Sequence, residues 1–305
     1  MKHKEGKAAN PGPSWGYQTI AFWERWLPAP VFEFMLSIGT WIGLLFMPRQ
    51  RQYSRQYWQA LTGQRPGLLQ VYRHFRSFMD SLVLKLRLGR GKVPKLCFDP
   101  EAEKEAFIEL CNSSQPVLFG TFHVGHSDMM GCMLKDFDRK VAMVRNQVAN
   151  SRDTEVMAEI FGGNLSFLWI NDPGQFIFQL KETIQQGISV GLQCDRTEFS
   201  TKRECFRFLG AEREFPMTIY YLADLFKCPV VFSFTGPRRR QDPIAVYTSA
   251  IFRPRETRRS SLEAGRAHFQ EILDQLEKHL RRYPELWFNF SPLNRPCSKA
   301  EVPRA

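Results

Sequence analysis

The sequence predicts an α/β protein whose mainly parallel central sheet is flanked by helices and preceded by a helical, membrane-anchoring region. Three observations carry that expectation. From about residue 115 onward, short apolar runs alternate with segments of helical length, the texture of buried parallel strands joined by helical crossovers. Ahead of them, residues 34–47 contain no charge and are followed at once by Arg49, Arg51 and Arg55. Between the two, residues 66–88 repeat apolar side chains at steps of four and three, which marks one face of a helix.

Residues 1–14 are polar, carry Lys2, Lys4 and Lys7, and contain no apolar run followed by small residues, so a cleaved secretory signal is not expected. Residues 31–47 (VFEFMLSIGTWIGLLFM) have Glu33 as their only charge. That run is shorter than the ~20 apolar residues of a comfortable span and also suits a buried core helix. Trp15, Trp23, Trp26 and Trp41 cluster around it as interfacial aromatics do, and the arginines follow as cytoplasmic flanks do. The reading is an anchor that spans or lies on the inner membrane, with the basic flank and the rest of the chain on the cytoplasmic side.

The helix over 66–88 places Leu68, Tyr72, Phe75, Met79, Leu82 and Leu86 on one face. Pro66 suits its first turn, and Gly89 and Gly91 end it. The amino-terminal third is therefore read as all-helical. Apolar runs at 117–122, 141–144, 165–170, 189–193 and 230–235 predict buried strands, and 175–186 and 217–226 predict helices between them. Residues 243–252 suggest a further, more exposed strand. A last helix over 261–282 carries Phe269, Ile272, Leu273, Leu276 and Leu280 on one stripe, with Ser260 and Ser261 at its start and Pro284 beyond its end. The expected organisation is a membrane-associated helical region over 1–92, an α/β domain over 93–297 and a loose polar tail over 298–305.

Composition bounds the partners. The 305 residues are 43% hydrophobic and 24% charged, include 26 Phe and carry a formal net charge of +11. This is the composition of a folded chain, not a disordered one. The basic excess calls for an acidic partner: nucleic acid, an anionic bilayer or an acidic carrier protein. Arginines recur at 49–55, 238–240 and 253–259, yet no nucleic-acid-binding module accompanies them. Anionic headgroups and an acidic carrier explain the same charges with fewer assumptions. Seven cysteines are scattered from Cys97 to Cys297 without a C-x-x-C pair, which reads as reduced thiols and neither a disulfide framework nor a zinc site. Cys132, Cys194 and Cys228 adjoin apolar runs and read as small core residues.

The segment with the most chemistry is GTFHVGHSDMM, residues 120–130. His123 follows a buried strand, and Asp128 comes five positions later. On one continuous helix that spacing turns the two side chains apart by about 140°. They meet only if His123 precedes the helix and Asp128 lies in its first turn, with Gly125 supplying the bend. An imidazole oriented by a carboxylate at the end of a strand is a general base for a hydroxyl. No serine or cysteine in a nucleophile elbow accompanies it, so direct attack by the substrate hydroxyl is simpler than a covalent intermediate. An isolated H-x-x-x-x-D is also a common helix-capping pattern, so this block alone does not define a site.

Four blocks in order carry a resemblance. His123, Gly125 and Asp128 match H-x-G-x-x-[DE]. GISVGLQCDRTEFS supplies an apolar strand and then Asp195 and Arg196. FRFLGAEREFPMTIYYLADLF supplies Gly210, Phe215 and Pro216 ahead of a helix. YPELWFNF supplies Pro284, Trp287, Phe288, Asn289 and Phe290. In these the chain resembles the late acyltransferases of lipid A synthesis, within the lysophospholipid acyltransferase superfamily, and especially the branch found with aryl-polyene and outer-membrane lipid gene clusters. The resemblance runs from about Trp15 to Phe290. It departs at Ser127, where lipid A enzymes usually carry an aromatic, and at Asp128, where they usually carry Glu.

The resemblance implies acyl transfer from acyl carrier protein or acyl-CoA to a hydroxyl of a lipid or glycolipid, without a metal or cofactor. His123 is then the general base, Asp128 its orienting carboxylate, and His126 a residue of the pocket wall. Arg145 falls where the family keeps a basic residue, for a phosphate or the thioester carbonyl; a plain surface Arg at a strand end fits the sequence equally. Asp195, ending a buried strand, needs a partner, for which Arg196 and Arg145 are the candidates, and a structural ion pair and a substrate-orienting role both fit. Alternatives are a lysophospholipid acceptor, a catalytically inactive membrane-binding scaffold of the same fold, and a basic nucleic-acid-binding protein. The His123–Asp128 pair speaks against the scaffold and the apolar amino-terminal run against nucleic acid.

Overall fold

The computed structural model describes residues 14–88, 90–129, 131, 134, 137–145, 164–170, 173–197, 200–238 and 242–297, though not the side chains of Ser14, Trp15, Tyr17, Asp128 and Pro173. The tail expected to be loose, 298–305, lies outside the described residues, as do Cys132 and Arg239–Arg240.

Four helices open the chain: α1 (Ser14–Trp26), α2 (Ala29–Phe46), α3 (Pro48–Thr62) and α4 (Leu68–Leu88). The all-helical reading of this third holds among the described residues, and α4 starts two residues beyond Pro66. Helix α2 is two-sided in an instructive way. Phe32, Leu36, Thr40 and Leu44 form a buried stripe at steps of four, packed with Val71, Phe75 and Val83 of α4. Its other face exposes Phe34, Ile38, Ile42, Leu45 and Phe46, the last to 80%.

The α/β body begins with β1 (Leu96–Phe98), α5 (Lys104–Asn112), β2 (Leu118–Thr121), β3 (Val141–Arg145) and β4 (Leu165–Trp169). It continues through α6 (Pro173–Gln185), β5 (Ser189–Gln193), β6 (Arg203–Phe208), β7 (Ala211–Pro216) and α7 (Thr218–Phe226), and ends on β8 (Val230–Thr235), β9 (Ile244–Thr248) and α8 (Arg258–Arg282). Seven strands form one sheet in the order β1-β9-β8-β2-β5-β3-β4. All pairings in it are parallel except β8 with β9. Strands β6 and β7 form a separate antiparallel hairpin.

The apolar runs are apolar because both faces of the sheet are covered. Along β8, Phe232 and Phe234 point into one core layer and Val231 into the other, the alternation that a pleat imposes. The first layer lies under α6, α7 and α8 and is dense in aromatics: Phe122, Phe232 and Phe269 stack at 5.5–6.4 Å, with Phe206 edge-on to Phe269 at 5.0 Å. Much of the phenylalanine surplus goes into this core. The second layer packs beneath α5 and the end of α4.

One sequence expectation is corrected here. The cysteines are not all reduced thiols, because Cys205 and Cys297 form a disulfide. The carboxyl-terminal segment runs back along β7, with Glu214 N–H donating to Arg295 O at 3.0 Å and Cys297 N–H to Glu212 O at 3.1 Å. That pairing delivers Cys297 to Cys205 on the partner strand β6, a juxtaposition of residues 92 apart that spacing cannot reveal. Cys194 and Cys228 are buried, as core residues should be, and burial pushes the Cys228 thiol up to about 11.

Candidate active site

The register of the central strands makes the site. Thr121 of β2 pairs with Gln193 of the adjacent parallel strand β5. Two residues further on, His123 and Asp195 leave the sheet side by side at its carboxyl edge, where open α/β sheets bind ligands. His123 Nδ1 lies 2.7 Å from Asp195 Oδ1, and His123 N–H donates to Asp195 Oδ2 at 2.9 Å. A carboxylate only accepts, so this contact assigns the proton to Nδ1 and leaves Nε2 as the basic nitrogen. No described residue hydrogen-bonds Nε2. The imidazole is 24% exposed and the Asp195 side chain 2%: one edge of the ring is anchored in the protein and the other is accessible.

Burial by itself would raise the Asp195 pKa. The His123 charge and hydrogen bond, the Arg196 charge and the Trp287 indole together outweigh burial and hold this carboxyl well below the usual carboxylate range. The third donor is Trp287 Nε1–H, at 2.9 Å from Oδ2. Asn294 Nδ2 donates to the Asp195 carbonyl at 3.0 Å, fixing the backbone as well.

The segment 286–288 clamps the other side of the histidine. Phe288 N–H donates to His123 O at 2.8 Å, and Gly125 N–H donates to Leu286 O at 2.7 Å, with Val124 bridging Trp287. Gly125 takes φ +57°, and a Cβ there would sit 2.6 Å from both Thr235 O and Oγ1. That close approach exists because His126 N–H donates to Thr235 Oγ1 at 2.6 Å. Gly125→Ala should therefore cost about 2–5 kcal/mol, the sum of a left-handed backbone penalty and overpacking. Denaturant titration checks this, and an undiminished midpoint would mean that the loop can turn another way.

Behind Trp287 lies a buried histidine that was not singled out from the sequence. His74 of α4 accepts from Ser54 Oγ–H at Nδ1 (2.9 Å) and donates from Nε2 to Trp287 O (2.7 Å). The neutral ring satisfies both partners. Burial depresses its pKa to about 4, against a smaller opposing pull from the Trp287 carbonyl. A folded value below the ordinary 6.5 means full stability above about pH 6.5 and loss as pH falls through 4. Two and a half pH units at about 1.4 kcal/mol each give about 3.5 kcal/mol. We expect unfolding free energy to fall by roughly that amount between pH 7 and 4, on top of general acid effects. His279, also lowered to about 4 by burial, adds to it. His74→Gln should flatten the fall, and an unchanged profile in that variant would show that another group governs it.

The residues singled out from sequence divide accordingly. His123 stands at the centre. The carboxylate on its Nδ1 is that of Asp195, while Asp128 belongs to a 3-10 turn, Ser127–Met129, and its side chain is outside those described. Asp195 takes His123 and Trp287 as partners; of its two expected cations, Arg196 contributes only its charge. Arg145, at the end of β3, is two strands from His123, about 10 Å across the sheet, with its guanidinium over the Phe167 ring. His126 is buried, held through its backbone. Trp287 and Asn294 were missed as donors, although the W-F-N-F block was visible. An indole N–H in a short apolar segment gives no hint of its acceptor. No protein-family model matches the chain, and no curated protein matches it.

Proposed function

We propose that the protein is a membrane-surface acyltransferase that moves an acyl chain from a thioester donor, acyl carrier protein or acyl-CoA, to a hydroxyl of a lipid or glycolipid acceptor. The observation that carries this reading is the His123–Asp195 pair, with Nδ1 tied to a buried carboxylate and the Nε2 edge accessible. In the proposed reaction Nε2 takes the hydroxyl proton as the oxygen attacks the thioester carbonyl. The tetrahedral intermediate then collapses, the C–S bond breaks, and the departing sulfur receives the proton from the imidazolium. Asp195 stabilises the transient cation. The products are an ester and a free thiol, and no covalent enzyme intermediate is required.

The membrane part of the proposal rests on α2. Its 18 residues are about 27 Å long, close to the thickness of a hydrocarbon core, and large apolar side chains cover its unpacked face. The inner membrane, with the α/β body at the cytoplasmic face, is the proposed location. Purified protein incubated with labelled acyl carrier protein or acyl-CoA and a membrane lipid extract should form alkali-labile lipid esters together with free thiol. Absence of both products with either donor would overturn the proposal.

A further inference from the structure

Away from the histidine, the amino-terminal helices and the sheet edge enclose a cavity of about 510 Å³. Arg25, Arg87, Lys92 and Arg238 line it, against Glu24 as the only acidic residue of its wall among the described residues. Glu24 is already committed: Arg87 Nε donates to Oε1 at 3.0 Å, and Arg90 pairs with Oε2. Arg25, Lys92 and Arg238 make no ion pair among the described residues. Asp80 and Glu33, whose charges reach Arg238, are both paired with Arg76. The Arg238 guanidinium is held below its ordinary value, first by desolvation and then by the charge of Arg87. Like charges converging on one cavity repel unless an anion enters.

Two elements join the cavity to the loop of His123. Arg87 lies six residues beyond Ser81, about 9 Å along the α4 axis, and the Ser81 hydroxyl donates to Gly125 O at 3.3 Å. Arg238 follows Thr235, the residue against which the Gly125 turn is packed, by three positions. The cavity's other wall is apolar: Phe32 and Leu84 line it, and Phe32 lies in the first turn of α2, whose outer face is bare. A cationic cup opening beside an apolar helix suits an anion attached to hydrocarbon.

We propose that this cavity binds the phosphate of a lipid headgroup, held by Arg25, Arg87, Lys92 and Arg238 while the lipid's chains lie along α1 and α2. The proposal rests on the membrane-surface reading above but not on the acyl transfer. Arginine suits such a group because its planar fork matches phosphate oxygens.

The test is binding without turnover. Full-length protein in neutral detergent is titrated by calorimetry with short-chain phosphatidic acid, short-chain phosphatidylcholine and inorganic phosphate at constant ionic strength. Phosphatidic acid should bind, and the Lys92→Gln/Arg238→Gln variant should weaken it by about tenfold or more, the scale of losing charge-assisted hydrogen bonds. Arg253→Gln/Arg255→Gln removes equal charge at the far end of β8, where Phe252 bridges Val230, and should leave the affinity within about twofold. Three results would overturn the proposal: unchanged affinity in the cavity variant, equal loss in the control, or inorganic phosphate binding as tightly as the lipid. His123→Ala should bind as the parent does, so a failure here and a failure of acyl transfer are told apart.

Discussion

Replacing His123 by alanine is expected to lower acyl transfer by at least about two orders of magnitude, the usual cost of losing a general base. The variant should remain folded and membrane-associated. The His123 backbone makes two of the bonds that hold its loop, donating to Asp195 Oδ2 and accepting from Phe288 N–H, and neither needs the imidazole. The side chain is partly exposed and packs no core. The informative measurement is kcat for ester formation beside the thermal midpoint. Near-parental turnover in a folded His123→Ala protein would remove the chemical basis of the proposal.

The second large effect belongs to Asp195, and it has a different signature. Asp195→Asn keeps the shape but sets an amide against Nδ1, which can draw the proton to the wrong ring nitrogen. In the best-characterised His–Asp pair such a change costs about four orders of magnitude. We expect a loss of about two to four orders in kcat, with little change in KM. Asp195→Ala goes further and leaves three donors without their acceptor: His123 N–H, His123 Nδ1–H and the Trp287 indole. Deleting a buried acceptor of this kind costs about 3 kcal/mol or more, so this variant should also be visibly destabilised. Asp195 is a positioning residue, and the pH profile separates its role from mere support. Asp195→Asn should displace the acidic limb of kcat/KM, because the free base is no longer paired with a carboxylate. Full activity with an unmoved limb would return the orienting role to another group, Asp128 first.

The sheet was legible because a strand buried on both faces is mostly apolar. Val230–Thr235 and Ser189–Gln193 announce themselves in that way. The β6–β7 hairpin was not recognised as one. Its strands RECFRF and AEREFP mix charge with Phe, since one face meets the aromatic core and the other meets water. Its two-residue turn, Leu209–Gly210 at positive φ, was visible but was read only as part of a motif. His123 was legible from the block around it. Its partner was not, because pairing β2 with β5 is a fact of strand order, and strand order is settled by packing across 70 residues of intervening chain. A reading confined to neighbours finds Asp128 first. The four cations of the cavity come from three separate segments, around Arg25, Arg87–Lys92 and Arg238, so only their shared space makes them a group.

The segment after α8 has a consequence for how the molecule comes into being. A chain is made from its amino end, and domains fold as they are synthesised. The exposed apolar face of α2 therefore emerges early, when it can already reach a bilayer. Trp287, Phe288 and Asn294 emerge near the end of the described chain, and until they arrive Asp195 lacks one of its donors and His123 lacks its clamp. Nascent or truncated forms ending before Trp287 would already carry the exposed apolar face of α2 but not the indole that donates to Asp195. On the proposed reading placement precedes competence: the segment 286–294 completes the surroundings of His123 and Asp195 only after α2 has been made.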